Sequence, residues 1–329
     1  MTGATILGCA GPRLTPEEAR LFAQTQPWGF ILFRRNVEDR GQLRRLCADL
    51  RAAVGCDAPV FVDQEGGTVQ RLRPPLARDW PDANAQRGGL RAVWLRHRLM
   101  AAELRAAGID GNCAPVVDVA GPLTHPFLQR RIWADDPALV AKRARAAAEG
   151  LLAGGVLPVI KHLPGHGAAN ADSHHDLPRC PLTLAELEAG DFAAVRALAD
   201  LPLGMSAHVV FEALDVQEPA TRSPVMVAYL RGVLGFDGLL MTDDIAMNAL
   251  AGTMAQRAAG ARAAGCDVVL HCSGDLAEMD AVAEAAGRLE GVALRRARAA
   301  LAARHAPESV DIQALEAEFE TLSGVDGLT

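Results

Sequence analysis

The stretch VIKHLPGHGAANADSHHDLP, residues 159–178, starts as an apolar run and then breaks into four histidines, two aspartates, two prolines and two glycines. It also holds Lys161, one of only two lysines in a chain that carries 31 arginines. A short, almost continuous apolar run bounded by turn residues is the pattern of a strand buried on both faces, as in a parallel sheet. Parallel α/β folds collect their chemistry just past the carboxyl ends of such strands, which is where the polar residues of this stretch begin. The fold therefore depends on whether the pattern recurs.

It recurs along the whole chain. Strands are expected near 4–9 (ATILGC), 29–33 (GFILF), 59–63 (PVFVD), 108–117 (ending CAPVV), 156–162 (VLPVIKH), 203–210 (LGMSAHVV), 238–243 (GLLMTD) and 266–271 (CDVVLH). Segments of helical length rich in Ala, Leu, Arg and Glu lie between them. Two of these open with a capping box, Thr15 to Glu18 and Thr183 to Glu186, and Pro16 stands at the first helical position of the former. Eight alternating units in about 280 residues predict a single-domain (β/α)₈ barrel of TIM type, with an open doubly wound sheet as the competitor. No linker rich in Gly, Ser or Pro divides the 329 residues. Residues 308–329 lack a basic side chain and space Ile312, Leu315, Phe319 and Leu322 along one face, which predicts a final helix packed on the outside.

Half of the residues are apolar, enough for a large core, and the formal charge of −7 gives no broad attraction for nucleic acid or anionic lipid. A small-molecule ligand and a monomer are expected. Seven cysteines without a CxxC pair suggest reduced thiols and a cytoplasmic location. The amino terminus lacks a basic export signal, and no apolar run of about 18 residues suggests a membrane span.

Polar residues gather at five of the expected strand ends: VDQEGGTVQR (62–71), PVVDV (115–119), KHLPGHG (161–167), SAHVVF (206–211) and MTDD (241–244). Lys161 could form a salt bridge at the rim, hold substrate hydroxyls with its three donors, or act as a Schiff-base nucleophile. His162 and His166 are four apart, but Pro164, Gly165 and Gly167 break any helix that would align them as metal ligands, so no metal and no cofactor is expected. In an extended backbone Asp172 reaches the imidazole of His174, an arrangement suited to proton transfer near neutral pH, or simply to capping a turn. Asp243 and Asp244 are adjacent, so alternation predicts that only one of them aims into a site.

In combination, VDQEGGTVQR, KHLPGHG, ADSHHDLP (171–178), SAHVVF and GLLMTDDIAM (238–247) resemble the signature segments of family 3 glycoside hydrolases, within it the bacterial single-domain β-N-acetylglucosaminidases. The resemblance spans about residues 5–290 and implies a TIM-type barrel. It also implies a cytoplasmic enzyme that removes terminal N-acetylglucosamine from peptidoglycan-derived muropeptides, such as N-acetylglucosaminyl-1,6-anhydro-N-acetylmuramic acid and its peptide forms, in cell-wall recycling. It further implies Asp243 as nucleophile, Asp172 and His174 as the acid/base dyad, and Asp63, Arg71, Arg131, Lys161 and His162 as sugar-binding residues, with His208 and Met247 lining the site. Gly165, Gly167 and the neighbouring alanines then predict a loop that carries His174 toward Asp243 when sugar binds. Thr68 stands where an arginine is common, and LQRRIW (128–133) replaces a more usual GNRAF, leaving Arg130 or Arg131 as the sugar-binding arginine, Arg131 by alignment with Trp133. The rivals are a sugar-binding protein without turnover and a Schiff-base aldolase using Lys161.

Overall fold

The structure, a computed structural model, describes residues 1–169 and 176–324. Among the described residues, eight principal parallel strands are each followed by helix. They are β1 (Gly3–Gly8), β2 (Pro27–Leu32), β3 (Val60–Val62), β4 (Gly111–Asn112), β5 (Ile160–Leu163), β6 (Leu203–Ser206), β7 (Leu239–Met241) and β8 (Val269–His271). The helices that follow them in turn are α1 (Pro16–Thr25), α2 (Arg40–Val54), α3 (Gly89–Ala106), α4 (Pro137–Ala153), the pair α5 (Leu184–Ala189) and α6 (Asp191–Arg196), α7 (Pro224–Gly232), α8 (Met254–Ala264) and α9 (Leu276–Ala286). Two more, α10 (Gly291–Ala302) and α11 (Ile312–Ser323), complete the described chain. Both expected capping boxes form. The Thr15 hydroxyl accepts from the Glu18 amide and the Glu18 carboxylate from the Thr15 amide, and Thr183 and Glu186 repeat the exchange.

Neighbouring strands are sequential. One sheet runs β8, β1, β2, β3, β4 and the short strand Leu157–Pro158, and a second runs β7, β6, β5. Isolated parallel bridges, Val116 to Lys161 and Met241 to Val268, link the two sheets at their margins. No switch in strand order occurs among the described strands, so the doubly wound alternative does not describe this chain. The expected strand over 108–117 shrinks to two residues of regular ladder, since the Ala114 amide turns back to the Asn112 carbonyl and pairing with β5 resumes only as a single bridge at Val116. Asn112 replaces part of what is lost. Its side-chain oxygen accepts from the Gln64 amide at 3.0 Å and its side-chain nitrogen donates to the Gln64 carbonyl at 2.9 Å, extending the contact between β3 and β4 by one side chain.

Alternation along the strands sorts the core. Ile6, Ile31 and Phe61 join one apolar cluster, with Met205, Leu239 and Met241 from the later strands. Leu7, Phe30, Leu32, Val60 and Val62 point to the other side, where Phe22, Leu46 and Leu104 from α1, α2 and α3 cover them. Both faces of the strands are therefore apolar, as the continuous runs predict. Outside α3, α11 docks through Phe319, whose ring meets Trp80 edge-on at 5.5 Å, and through Arg91, whose guanidinium makes two 2.8 Å contacts with Glu318.

At the amino-terminal ends of the strands, Asp110 sits just before β4. Its Oδ1 accepts from the Val60 amide at 2.8 Å, while Oδ2 meets Arg51 at 3.0 Å, Arg105 at 3.5 Å and Arg304 at 2.6 Å. This one carboxylate joins α2, α3 and the segment after α10 to the strands.

Gly111 provides a test of interior packing, since a Cβ there would lie 2.2 Å from the Phe61 ring. Gly111→Ala should lower stability by about 1–3 kcal/mol, read as a reduced urea midpoint with unchanged slope. An unchanged midpoint would mean that Phe61 repacks freely.

Candidate active site

The described polar residues of the cluster lie in the last positions of the strands or just past their carboxyl ends, and the turn after β3 explains how they meet. Gln64 is fully buried and its side-chain oxygen accepts from the amides of Arg71 and Leu72, both at 3.0 Å, while its nitrogen donates to the Leu72 carbonyl at 2.8 Å. The turn is thereby folded back so that Arg71 returns to Asp63, with Nη2 3.0 Å from Oδ2. Lys161 from β5 reaches the other oxygen of Asp63 at 2.9 Å and Glu65 at 2.7 Å. Arg131, on the loop after β4, grips Glu65 with two bonds of 2.9 and 2.8 Å. Five charges thus alternate in sign from Arg71 through Asp63, Lys161 and Glu65 to Arg131.

Pairing overrides the cost of burial along this chain. Burial pushes Asp63 up, but Lys161 and Arg71 hold its carboxyl far below the usual range. Burial likewise opposes Glu65, whose pKa the charges of Arg131 and Lys161 bring down to about 2. The two carboxylates in turn lift Lys161 above its ordinary value despite its burial.

Asp118, fully buried after β4, holds the next wall. It accepts from the His162 ring Nδ1 at 2.8 Å and from the amides of His162 and His166 at 3.1 and 2.9 Å. Bonding to a carboxylate holds a proton on Nδ1 and fixes the direction in which Nε2 points. The His166 ring lies 5.5 Å from that of His162, and burial pushes its pKa down to about 4, so it is neutral near pH 7.

Asp243 follows β7. Burial raises its pKa, but His208, His162, the Asp244 amide and Lys161 outweigh that, and the carboxyl stays below its ordinary value. Its Oδ1 accepts from the Asp244 amide at 2.8 Å. Asp244 anchors the loop, accepting from the amides of Ala246 and Cys272 at 3.0 and 3.2 Å, and burial pushes its pKa up to about 6. Both aspartates line the cleft, contrary to strict alternation, because the regular strand ends at Met241 and the backbone has already turned.

The cleft has a volume of ≈ 480 Å³. Of the expected residues, Asp63, Arg71, Arg131, Lys161, His162, Asp243 and Met247 line it. Arg130 points away to Asp82 at the surface, which leaves Arg131 as the arginine of the cleft. His208 does not reach the wall. It is fully buried, its Nδ1 bonded to the Thr221 hydroxyl at 2.8 Å and its Nε2 to the Asp244 carbonyl at 3.0 Å. Asp172 and His174 lie outside the described residues. Glu65 and Asp118 were not singled out by sequence reasoning, although both sit in strand-end segments that were. Phe33 and Phe127 also line the cleft, each with a guanidinium over its ring, Arg71 at 5.5 Å and Arg131 at 5.0 Å. Among the described residues no group of three His, Cys, Asp or Glu side chains could hold a metal ion, and no helix is long and apolar enough to cross a membrane.

Residues 6–304 match the model of the glycosyl hydrolase family 3 N-terminal domain. The chain is 38% identical over 287 residues to a β-hexosaminidase of Bordetella avium, covering 82% of this chain and 81% of that protein. It is 36% identical to a β-hexosaminidase of Pseudomonas aeruginosa, covering 83% of each. Among solved structures it resembles NagZ from Neisseria gonorrhoeae in complex with N-trifluoroacetyl-D-glucosamine, at a TM-score of 0.79 and 31% identity over 98% of both chains. It also resembles the β-N-acetylhexosaminidase of Beutenbergia cavernae, at 0.78 and 31% identity over 92% of this chain and 96% of that one.

The depressed pKa of Glu65 predicts acid sensitivity with a definite sign. Between the unfolded value near 4.5 and the folded value of about 2, the unfolded chain binds more protons, so stability falls as pH falls through that window. Glu65→Gln should lose up to a few kcal/mol at pH 6, leaving buried cations undercompensated, and should show a shallower decline between pH 5 and 3. Urea midpoints across that range test it, and parallel curves for the two proteins would refute the coupling.

Proposed function

The chain belongs to glycosyl hydrolase family 3 and is a β-N-acetylhexosaminidase, and from that premise we propose that it acts as a retaining exo-enzyme through a covalent glycosyl-enzyme. Its substrates are terminal N-acetylglucosaminides of peptidoglycan-derived muropeptides, and its role is cell-wall recycling by a cytoplasmic monomer. The N-acylated glucosamine bound by the gonococcal relative supports an amino sugar as the ligand. A cleft of ≈ 480 Å³ suits a terminal sugar with its leaving group better than a long polysaccharide. We also read the sequential ring of strands as one closed (β/α)₈ barrel in a single domain, with α11 as its outer tail.

The observation that carries the mechanism is the place of Asp243 in the cleft it shares with Arg71, Arg131, Lys161 and His162, where its carboxyl is held below its ordinary pKa. The carboxylate attacks the anomeric carbon as the bond to the leaving oxygen breaks, and His174, oriented by Asp172, gives that oxygen its proton. In the second half, His174 takes a proton from water, whose oxygen displaces Asp243 from the anomeric carbon. Two inversions give net retention. Asp63, Arg71, Arg131, Lys161 and His162 hold the sugar, and Met247 packs beside it. His208 acts from behind, fixing the Asp244 carbonyl next to the nucleophile. The aldolase reading is disfavoured by chemistry, since an ammonium held between two carboxylates, with its pKa lifted, is a poor amine nucleophile.

Incubation with a fluorosugar inactivator should leave an adduct on Asp243, located by peptide mass spectrometry. Asp243→Ala should lower turnover of a chromogenic N-acetylglucosaminide by about 10⁴-fold or more. His174→Ala should cost about 10²–10⁴-fold with poor leaving groups and far less with a dinitrophenyl one. Retained turnover in Asp243→Ala, or an adduct elsewhere, would overturn the assignment.

A further inference from the structure

Behind the cleft lies a buried carboxyl group that the chemistry above does not use. Asp191 opens α6 and is only 5% exposed. It accepts a 2.6 Å hydrogen bond from the Val119 amide, and the amides of Gly167 and Ala168 lie near enough to favour its charged form. Val119 adjoins Asp118 on the loop after β4, whereas Gly167 and Ala168 belong to the PGHG loop after β5, so one side chain joins two walls of the cleft.

The joint is tight from both sides. A Cβ on Gly165 would lie 2.3 Å from the Cβ of Asp191, and one on Gly167 would lie 1.9 Å from the Val119 carbonyl oxygen. The joint is also costly. Burial first, and the negative charge of Asp118 second, push the Asp191 pKa upward, and three amides rather than a cation oppose them. In a chain with 31 arginines, no ion pair to Asp191 occurs among the described residues. An apolar residue would fill the space more cheaply, but it could not accept from the Val119 amide or face the two amides beside it.

We propose that Asp191 is a positioning residue that ties the PGHG loop, which precedes Asp172 and His174 in the sequence, to the loop after β4, and so holds His166 in register with Asp118. The kinetic part rests on the proposed acid/base role of His174; the structural part does not.

The test uses the full chain carrying Asp191→Ala or Asp191→Asn, with Gly167→Ala as a second way to strain the same joint. Hydrogen exchange at the Gly167 and Ala168 amides should quicken by about tenfold or more in Asp191→Ala and less in Asp191→Asn, which keeps one acceptor oxygen. In folded protein, Asp191→Ala should lower kcat/KM by about 10²-fold for an aryl N-acetylglucosaminide with a poor leaving group, but by less than about tenfold for the dinitrophenyl compound. Asp191→Asn should recover part of that loss, and Gly167→Ala should reproduce the pattern. Unchanged exchange, or an equal loss on both substrates, overturns the proposal. If the unsubstituted enzyme cleaved neither substrate, the proposed function would fall, and the exchange rates would still decide whether Asp191 makes the tie.

Discussion

The alternating chain of charge from Arg71 to Arg131 is the constraint on which the cleft depends. Each of its members is wholly or largely withdrawn from water, and a buried charge survives only where opposite charge and hydrogen bonds compensate it. The compensation is distributed, since each carboxylate serves two cations and Lys161 serves two carboxylates. Because its members come from the turn after β3, the loop after β4 and β5 itself, the chain also holds those segments together. An ammonium has three donors, and two of those on Lys161 are spent on Asp63 and Glu65. The third is fixed in direction before any ligand arrives, which is the kind of preorganisation that makes a polar site effective in a low-dielectric cleft.

Asp118 and Gln64 do for the backbone what that chain does for the side chains. Each is buried and each directs its side chain at main-chain groups: Gln64 folds the turn that brings Arg71 back to Asp63, and Asp118 sets the ring of His162 and the start of the PGHG loop. The residues facing the cleft are therefore backed by a layer of buried amide and carboxyl groups. Where such a layer is complete, a polar interior is rigid, and where one member is missing the neighbours lose partners they cannot replace from water.

Much of this was legible in the sequence, for a physical reason. An apolar run that ends abruptly in charged residues can be satisfied by a strand buried along its length and open at one end, so the strands and the gathering of polar residues at their ends could be read from the pattern, while Asp63, Arg71, Lys161, His162 and Asp243 were singled out by the resemblance of their segments to family 3. What could not be read depends on distant partners. Nothing near His208 signals that Thr221 and the Asp244 carbonyl would occupy both ring nitrogens and turn it away from the cleft. The pairing of Glu65 with Arg131 spans 66 residues, and Asp118 meets His162 across 44. Alternation misled at Asp243 and Asp244 because it holds only while the ladder lasts, and the ladder had ended two residues earlier. The length of β4 was overestimated because an apolar sequence does not reveal where the backbone turns back on itself, as the Ala114 amide does to the Asn112 carbonyl.

Asp110 and Asp118 stand at opposite ends of one short stretch of chain, the first clasped by three arginines at the amino-terminal side, the second facing the cleft. Fastening and reactivity are thereby assigned to separate ends of the same segment. For protein engineering this separation is useful: cleft loops can be exchanged or randomised to alter which glycosides are accepted while the arginine clasp continues to secure the scaffold, so variants can be screened for new selectivity without each one having to solve the folding problem afresh.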